Sequence, residues 1–191
     1  MEATQSHSWI QRALGAAKLD VNTYEEVEAD RTATGQAAGV VAVVAVAQAI
    51  ASAGQGAPGI IAAVIGSILG WLIWAGITNL IGTRVFGGTA DWGELLRTLG
   101  FAHAPGVFYV LGLVPGVGPF IAFAVAIWTL VAGIVGIRQA LDFSTGKAVL
   151  TAVLGWLAIV IPLAILLGMV ASNQPAAVPP AVPGLPGGAS P

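Results

Sequence analysis

The sequence predicts an all-α membrane protein, a bundle of five transmembrane helices, and three observations support this fold class. Only 8% of the 191 residues are charged and 57% are hydrophobic, whereas a soluble domain carries about 25% charged residues. The apolar residues fall into runs near the roughly 20 residues that a helix needs to cross a bilayer. These runs are continuous rather than alternating, which favours helices over barrel strands, and a helix satisfies its own backbone hydrogen bonds in lipid.

The same composition argues against several classes of function. A net charge of -2 gives no electrostatic attraction to nucleic acid. The chain has no cysteine, so disulfides, thiolate metal sites and a cysteine nucleophile are excluded. It contains no Walker loop, no H-E-x-x-H and no G-x-G-x-x-G pattern, and Ser144 does not lie in a nucleophile-elbow pattern. We therefore expect neither an enzyme nor a cofactor.

Residues 1–34 hold much of the polar content and are predicted to form a cytoplasmic N-terminal segment. Within it, residues 8–18 can form a short amphipathic helix. Its apolar side would consist of Trp9, Ile10, Ala13, Leu14 and Ala17. Such a helix suits the headgroup region of a membrane. The alternative is a soluble helix that packs on the cytoplasmic loops.

Residues 35–172 are predicted to form the transmembrane domain. Its five spans are expected at about 36–53, 59–82, 91–113, 118–137 and 148–171. The third span begins with a polar, amphipathic turn and contains Pro105, which removes a backbone donor and predicts a kink at residues 101–104. The alternative for this segment is an interfacial helix to His103, followed by a short re-entrant piece that ends at Pro115. Residues 173–191, rich in Pro, Ala and Gly, are expected to be a disordered tail.

The positions of the basic residues predict the topology. Arg12, Lys18 and Arg31 precede the first span, Arg84 and Arg97 flank the second-to-third connection, and Arg138 and Lys147 flank the fourth-to-fifth. The connections at 54–58 and 114–118 and the tail from Ser172 carry no charge. Five spans place the three basic regions on one side, which the positive-inside rule makes cytoplasmic. The N-terminus would then be cytoplasmic and the C-terminus extracytoplasmic, in a bacterial plasma membrane. Four spans would put the charged 138–147 loop outside.

Polar residues at membrane depth are the first functional candidates, because they are costly to bury in lipid. The candidates are Asn79, His103 and Thr129. Residues of this kind more often bond across helices than hold a substrate. His103 is the one titratable group expected to lie deep, and no acid lies within a helical turn of it. A proton relay or a metal site would need such a partner.

A second set of candidates lies at the cytoplasmic face. They are Arg84, Glu94, Arg97, Arg138 and Lys147. The i, i+3 spacing of Glu94 and Arg97 predicts that they pair on one helix face. Asp91 and Glu94 also stand where the dipole of the third span favours acidic groups. Arg84 and Arg97 are alternatively candidates for contact with a substrate or a lipid headgroup.

Several connecting segments resemble one known family. These segments are ATGQA at 33–37, IGTRVFGG at 81–88, GELLRTLGFAHAP at 93–105, VPGVGP at 114–119 and RQALDFSTG at 138–146. They resemble bacterial members of the YIP (Ypt-interacting protein) domain family, over about residues 19–168. The resemblance implies a five-pass helical domain with a cytoplasmic N-terminus and brings no catalytic residue. Eukaryotic relatives in that family associate with Rab GTPases and act in traffic from the ER to the Golgi.

Two hypotheses of function follow. In the first, the protein is a non-enzymatic membrane scaffold that binds membrane or cytoplasmic proteins, or a second copy of itself, through its cytoplasmic side. The alternative is a component of a small-solute or ion transporter or channel, with a path near Asn79, His103 and Thr129. In both, the lipid bilayer is a partner and nucleic acid is not.

Overall fold

A computed structural model describes residues 7–172, and all regular structure in this part of the chain is helical. The α-helices are α1 (Trp9–Ala17), α2 (Val21–Ala29), α3 (Ala33–Ala51), α4 (Gly56–Arg84), α5 (Trp92–Ala102), α6 (Gly118–Ala140) and α7 (Thr145–Ser172). Two 3-10 segments join them, a short one at Ala53–Gln55 and a longer one at Ala104–Leu113. The predicted disordered tail at 173–191 lies outside the described residues.

Four of these helices are long and apolar enough to cross a membrane. They are α3, α4, α6 and α7, and they coincide with the first, second, fourth and fifth predicted spans. Their outer surfaces carry large apolar side chains, among them Ile68, Phe123 and Leu154, which are 41%, 70% and 44% exposed. Such a surface suits lipid rather than water. The prediction of a multi-pass helical membrane protein is confirmed at this level.

The third predicted span is broken into two pieces. Helix α5 ends at Ala102, and the 3-10 segment begins at Ala104 with Pro105 in its first turn. Pro105 has no backbone N–H to continue the α-helical ladder, and the tighter 3-10 winding follows. The His103 N–H already bonds in the 3-10 pattern, to the Gly100 carbonyl at 3.2 Å. The break falls in the predicted interval 101–104, but the segment is not one of the four long helices.

The broken segment runs beside α3 and in the same direction. Three small residues along it, Gly100, Gly106 and Gly112, meet Ala37, Val44 and Ala51 of α3 in turn. Because the residue numbers increase in the same direction along the broken segment and along α3, the two segments are parallel. Helices α4 and α5 are antiparallel, since Trp71 bonds to Leu96 and Asn79 bonds to Ala90.

The long segments form a ring. Around it, α3 contacts α4, α4 contacts α7, α7 contacts α6, α6 contacts the longer 3-10 segment, and that segment contacts α3. At the end where α3 begins, α5 fills the ring and buries Leu95, Leu99 and Phe101 completely. Toward the other end, the ring encloses open space.

The N-terminal segment packs onto the end that α5 fills. Tyr24 and Val27 of α2 are fully buried, and α2 contacts both α5 and α6. The Tyr24 hydroxyl donates a hydrogen bond to the Ala16 carbonyl of α1 at 3.2 Å. Helix α1 leaves Ile10 and Leu14 exposed, 54% and 56% respectively, and these residues continue the apolar outer surface. Residues 7–34 are therefore part of the folded core rather than a separate extension.

Candidate functional site

The charged residues of the described part gather at one end of the bundle. They come from α1 and α2, from the α4–α5 connection and from the α6–α7 connection. Hydrogen bonds join these regions: Gln139 donates to Glu25 at 2.8 Å, and Thr89 donates to Asp142 at 3.2 Å. The three basic regions recognised in the sequence therefore form one continuous surface.

Arg97 lies inside this end rather than on its surface. Its side chain is only 4% exposed, and its guanidinium donates to the carbonyls of Val27 at 3.0 Å and Glu28 at 3.1 Å. These carbonyls belong to the last turn of α2, where the helix dipole favours a cation and the carbonyls lack partners within the helix. Arg97 thus fixes α2 against α5 and is not accessible to a partner or a lipid headgroup.

The predicted pair between Glu94 and Arg97 does not form. Glu94 instead accepts a hydrogen bond from the Asp91 N–H at 2.8 Å, while the Asp91 carboxylate accepts one from the Glu94 N–H at 2.8 Å. This reciprocal capping box satisfies two donors at the start of α5. Capping prevailed over pairing because the carbonyls of α2 lie within reach of Arg97, which the i, i+3 spacing could not reveal.

A second buried arginine holds the N-terminal segment together. Arg12 of α1 is 3% exposed and forms ion pairs with Glu26 at 2.9 Å and Asp30 at 2.8 Å. It also donates to Gln36 of α3 at 3.0 Å. His7 approaches the other carboxylate oxygen of Glu26 at 2.7 Å. Arg12 therefore links α1, α2 and α3 at one point, a role that its sequence position alone did not suggest.

The surroundings of the α2 carboxylates shift their pKa values in opposite directions. Burial alone would raise the pKa of Glu26, but hydrogen bonds from His7 and Arg12 hold it below its ordinary value. Hydrogen bonds from Thr32 and Arg12 lower the pKa of Asp30. Burial, reinforced by the nearby charge of Glu94, raises the pKa of Glu28 to about 6, although Arg97 opposes the shift. Glu28 is thus the carboxylate whose ionisation disfavours the fold.

Replacing Glu28 with glutamine should stabilise the protein at pH 7. A carboxyl group with a raised folded-state pKa binds more protons when folded, so its contribution is present at low pH and is lost as pH rises through about 6. We expect a gain of about 1 kcal/mol at pH 7, less than the shift alone implies because solvent screens a partly exposed group. Thermal unfolding in detergent should show the gain at pH 7 and not at pH 4. A gain independent of pH would contradict the assignment. Glu26→Gln is the control of opposite sign, because the pKa of Glu26 is lowered and its neutralisation should cost stability at pH 7.

Three of the predicted surface candidates are exposed at this end, namely Arg84, Arg138 and Lys147. Among residues 7–172, none of the three forms an ion pair. Lys147 donates to the Phe86 carbonyl at 3.1 Å and lies 5.4 Å from the centre of the Phe143 ring. Its stem is therefore held while its charge stays available to an anionic group.

The second candidate site is a cavity of about 230 Å³ at the centre of the ring. Polar groups from four segments line it, including Gln48 of α3, Ser67 of α4, His103 and Tyr109 of the broken segment, and Thr129 of α6. A larger space of about 580 Å³ adjoins it and also touches Gln48 and Tyr109. Ser67 donates to Gln48 across this region at 2.7 Å.

The polar groups of the central cavity are only partly satisfied. His103 places its Nδ1 atom 2.7 Å from the Leu99 carbonyl, so Nδ1 carries the proton and donates it. In the neutral ring, Nε2 is then an acceptor. The Trp74 ring lies edge-on to His103 at 5.8 Å. Three further atoms, Trp74 Nε1, Thr78 Oγ1 and Thr129 Oγ1, are buried without a partner among the described residues, and they present almost no surface to the cavity.

The three intramembrane candidates do not form one site. His103 and Thr129 both line the central cavity, whereas Asn79 donates to the Ala90 carbonyl at 3.1 Å and holds the loop before α5. The sequence interpretation did not select Ser67, Trp74 or Tyr109 as cavity residues. The sequence did not mark these three residues as a group, because Tyr109 lies on a different segment from the other two and joins them only when those segments pack.

The chemistry of the two sites follows from the side chains that form them. Within residues 7–172, no group of three or more His, Cys, Asp or Glu side chains could hold a metal ion. The cavity offers hydrogen-bond donors and acceptors without a carboxylate beside His103. The charged end offers three exposed cations, of which Lys147 is held by the Phe86 carbonyl. Both arrangements are suited to binding.

The comparisons with known proteins support one family. The model of the Yip1 domain matches residues 22–167, from the start of α2 to near the end of α7. The comparisons with curated proteins and with solved structures gave no match.

Proposed function

The chain belongs to the Yip1 domain family, and from that premise we propose that it is a non-enzymatic scaffold of the cell membrane, which binds a partner protein through its charged end. The observation that carries the proposal is the surface formed by the α4–α5 and α6–α7 connections. Arg84, Arg138 and Lys147 are exposed on it. Exposed cations that form no ion pair within residues 7–172 are available to an acidic segment of another protein.

The rigidity of this surface supports a docking role. Arg97 ties α2 to α5, and Arg12 ties α1 to α2 and α3. Both internal arginines are thereby used to hold the N-terminal segment on α3 and α5, while Arg84, Arg138 and Lys147 stay exposed. A surface fixed in advance loses little conformational freedom on binding, which favours affinity.

We further propose five crossings, with the charged end in the cytoplasm. The broken third segment follows α3 from Ala37 to Ala51, so it traverses the same depth. At about 1.5 Å per residue for the 11 residues of α5 and about 2.0 Å for the 10 of the 3-10 segment, its path exceeds the roughly 30 Å hydrocarbon core. An interfacial helix with a re-entrant piece would not accompany α3 to its end. The positive-inside rule then gives the orientation.

A photo-crosslinking amino acid at position 138 or 147 should capture a discrete protein in native membranes. The same group at Pro119, at the opposite end of α6, is the matched control and should not capture it. Adding Arg84→Glu should weaken capture severalfold, because a like charge repels an acidic segment. Capture of lipid alone, or equal capture from Pro119, would overturn the scaffold proposal.

The small-solute alternative has narrower support. It draws on the central cavity and on His103 and Thr129, which line it. However, Asn79 does not line this cavity and instead bonds to the Ala90 carbonyl. In addition, α5 fills the cytoplasmic half of the ring with the fully buried Leu95 and Leu99. A passage would require α5 to move, which gives a scaffold precedence over a transporter.

A further inference from the structure

We propose that the ring encloses a water-filled vestibule, open at the end where α3 meets α4, whose floor binds an uncharged molecule bearing hydroxyl groups. The inference goes beyond the scaffold role. It rests on the proposed orientation only for the side from which the vestibule opens.

The vestibule consists of the two adjoining cavities. The larger, about 580 Å³, is bordered by Ser52 and Gln55 of the α3–α4 connection and by Pro119 at the start of α6. The smaller, about 230 Å³, continues inward to Trp74 and His103. Gln48 and Tyr109 border both, so one space leads from the connections into the centre of the bundle.

The broken third segment explains why this space exists. In its α-helical half, α5 contacts α3, α4 and α6 and fills the interior. After Pro105, the chain continues as a 3-10 segment that contacts α3 and α6 but takes a place in the ring wall. The interior on that side is left to small residues such as Gly66, Gly70 and Gly106.

The floor has hydrogen-bonding groups that the protein does not satisfy. Within residues 7–172, the Tyr109 hydroxyl and the side-chain N–H groups of Gln48 have no hydrogen-bond partner, and both residues border the two cavities. His103 uses Nδ1 on the Leu99 carbonyl, which leaves Nε2. Buried polar atoms in native proteins are nearly always paired with protein or with water. Unpaired groups that border a cavity therefore point to an occupant that supplies both donors and acceptors.

The lining determines the class of ligand. It contains amide, hydroxyl, indole and imidazole groups, and no Asp, Glu, Lys or Arg. A charged ligand that displaced the water of the vestibule would meet no counter-ion there, which is costly, whereas a small charged reagent can enter while the vestibule stays hydrated. A hydroxyl group both donates and accepts, as the Gln48 amide, the Tyr109 hydroxyl and His103 Nε2 together require. Two sources share this chemistry, a soluble polyol that enters through the mouth and a membrane lipid with a hydroxyl headgroup.

The absence of cysteine from the chain allows a direct test by thiol labelling. Ser67→Cys places a thiol in the vestibule, and Ile68→Cys places one on the lipid-facing surface at the same depth, since Ser67 is 7% and Ile68 41% exposed. A charged, membrane-impermeant reagent attacks only a hydrated thiolate. It should therefore modify Ser67→Cys at least about tenfold faster than Ile68→Cys. Thr129→Cys, at the floor, should also react. Equal rates, or no reaction at Ser67→Cys and Thr129→Cys, would overturn the vestibule.

Labelling from each side separates this inference from the proposed orientation. Applied outside intact cells, the reagent should reach Gln55→Cys and Ser67→Cys but not Ser144→Cys in the α6–α7 connection. If Gln55→Cys and Ser67→Cys react only in inverted vesicles, the orientation is reversed and the vestibule stands. If Gln55→Cys reacts from outside and Ser67→Cys does not react from either side, the orientation stands and the vestibule is overturned.

Protection from labelling identifies the ligand. In purified protein reconstituted in vesicles, glycerol or dioleoylglycerol should slow the modification of Thr129→Cys at least about twofold while leaving Gln55→Cys unchanged. Protection by glycerol indicates the soluble source, and protection by dioleoylglycerol indicates the lipid source. Protection by neither, or equal protection by glycerol 3-phosphate, would overturn the assignment to an uncharged hydroxyl compound.

Discussion

Replacing Arg97 with methionine should lower the free energy of unfolding by about 3 kcal/mol, because it removes charged hydrogen bonds and leaves buried carbonyls unpaired. Methionine retains much of the length of the side chain, so the packing of its stem against α5 is largely kept. The Val27 and Glu28 carbonyls at the end of α2 would lose the guanidinium that now bonds to them. Denaturation by SDS in mixed micelles, followed by tryptophan fluorescence, would measure the loss.

The same substitution should release the N-terminal segment. Trypsin is expected to cleave after Lys18 and Arg31, which flank α2, faster than in the unaltered protein. Arg138→Met is the matched control, since Arg138 is exposed at the same end. It should change neither the SDS midpoint nor the cleavage rate. Equal behaviour of the two variants would contradict the internal role of Arg97.

Replacing Gly100 with leucine should destabilise the bundle by about 3 kcal/mol through overpacking. A Cβ atom at this position would lie 2.7 Å from the Ala37 Cβ atom and 3.3 Å from the Ala37 backbone. Backbone cannot rotate away as a long side chain can, so α3 and α5 would have to separate. The midpoint of SDS-induced unfolding should fall accordingly.

Gly35→Leu in α3 is the control for that experiment. Nothing lies within 4 Å of a Cβ atom at Gly35, so leucine should be tolerated or should stabilise the helix by up to about 1 kcal/mol as a better helix former. If both variants lose stability equally, the close approach of α3 and α5 is not the cause.

Much of the fold could be predicted from single segments of the sequence. Four long apolar runs became α3, α4, α6 and α7, because a helix that crosses lipid needs no partner to satisfy its backbone. Pro105 predicted the break in the third segment, since a missing N–H is a local property. Helix α2 was not predicted, because its nine residues lack a strong apolar period and depend on Arg97 and on the packing of Tyr24.

The candidate sites were predicted less completely. The charged regions were recognised, but Arg97 and Arg12 are buried inside the protein. The prediction that Glu94 pairs with Arg97 was wrong, since Glu94 takes part in the capping box with Asp91. Nothing in the spacing distinguishes an arginine that meets a helix end from one that meets solvent. The central cavity joins residues from α3, α4, α6, α7 and the broken segment. Such a set is created only when the ring closes.

The sequence by itself determined that this is a membrane protein, where its apolar runs begin and end, and which end of the bundle carries charge. These properties follow from the sequence because the transfer of each side chain between water and lipid depends mainly on its own hydropathy and charge. Only the tertiary structure decided which cations remain free and where the interior stays open. Those properties depend on whether another helix end lies within about 3 Å of a guanidinium, and on whether the chain after Pro105 fills the ring or joins its wall.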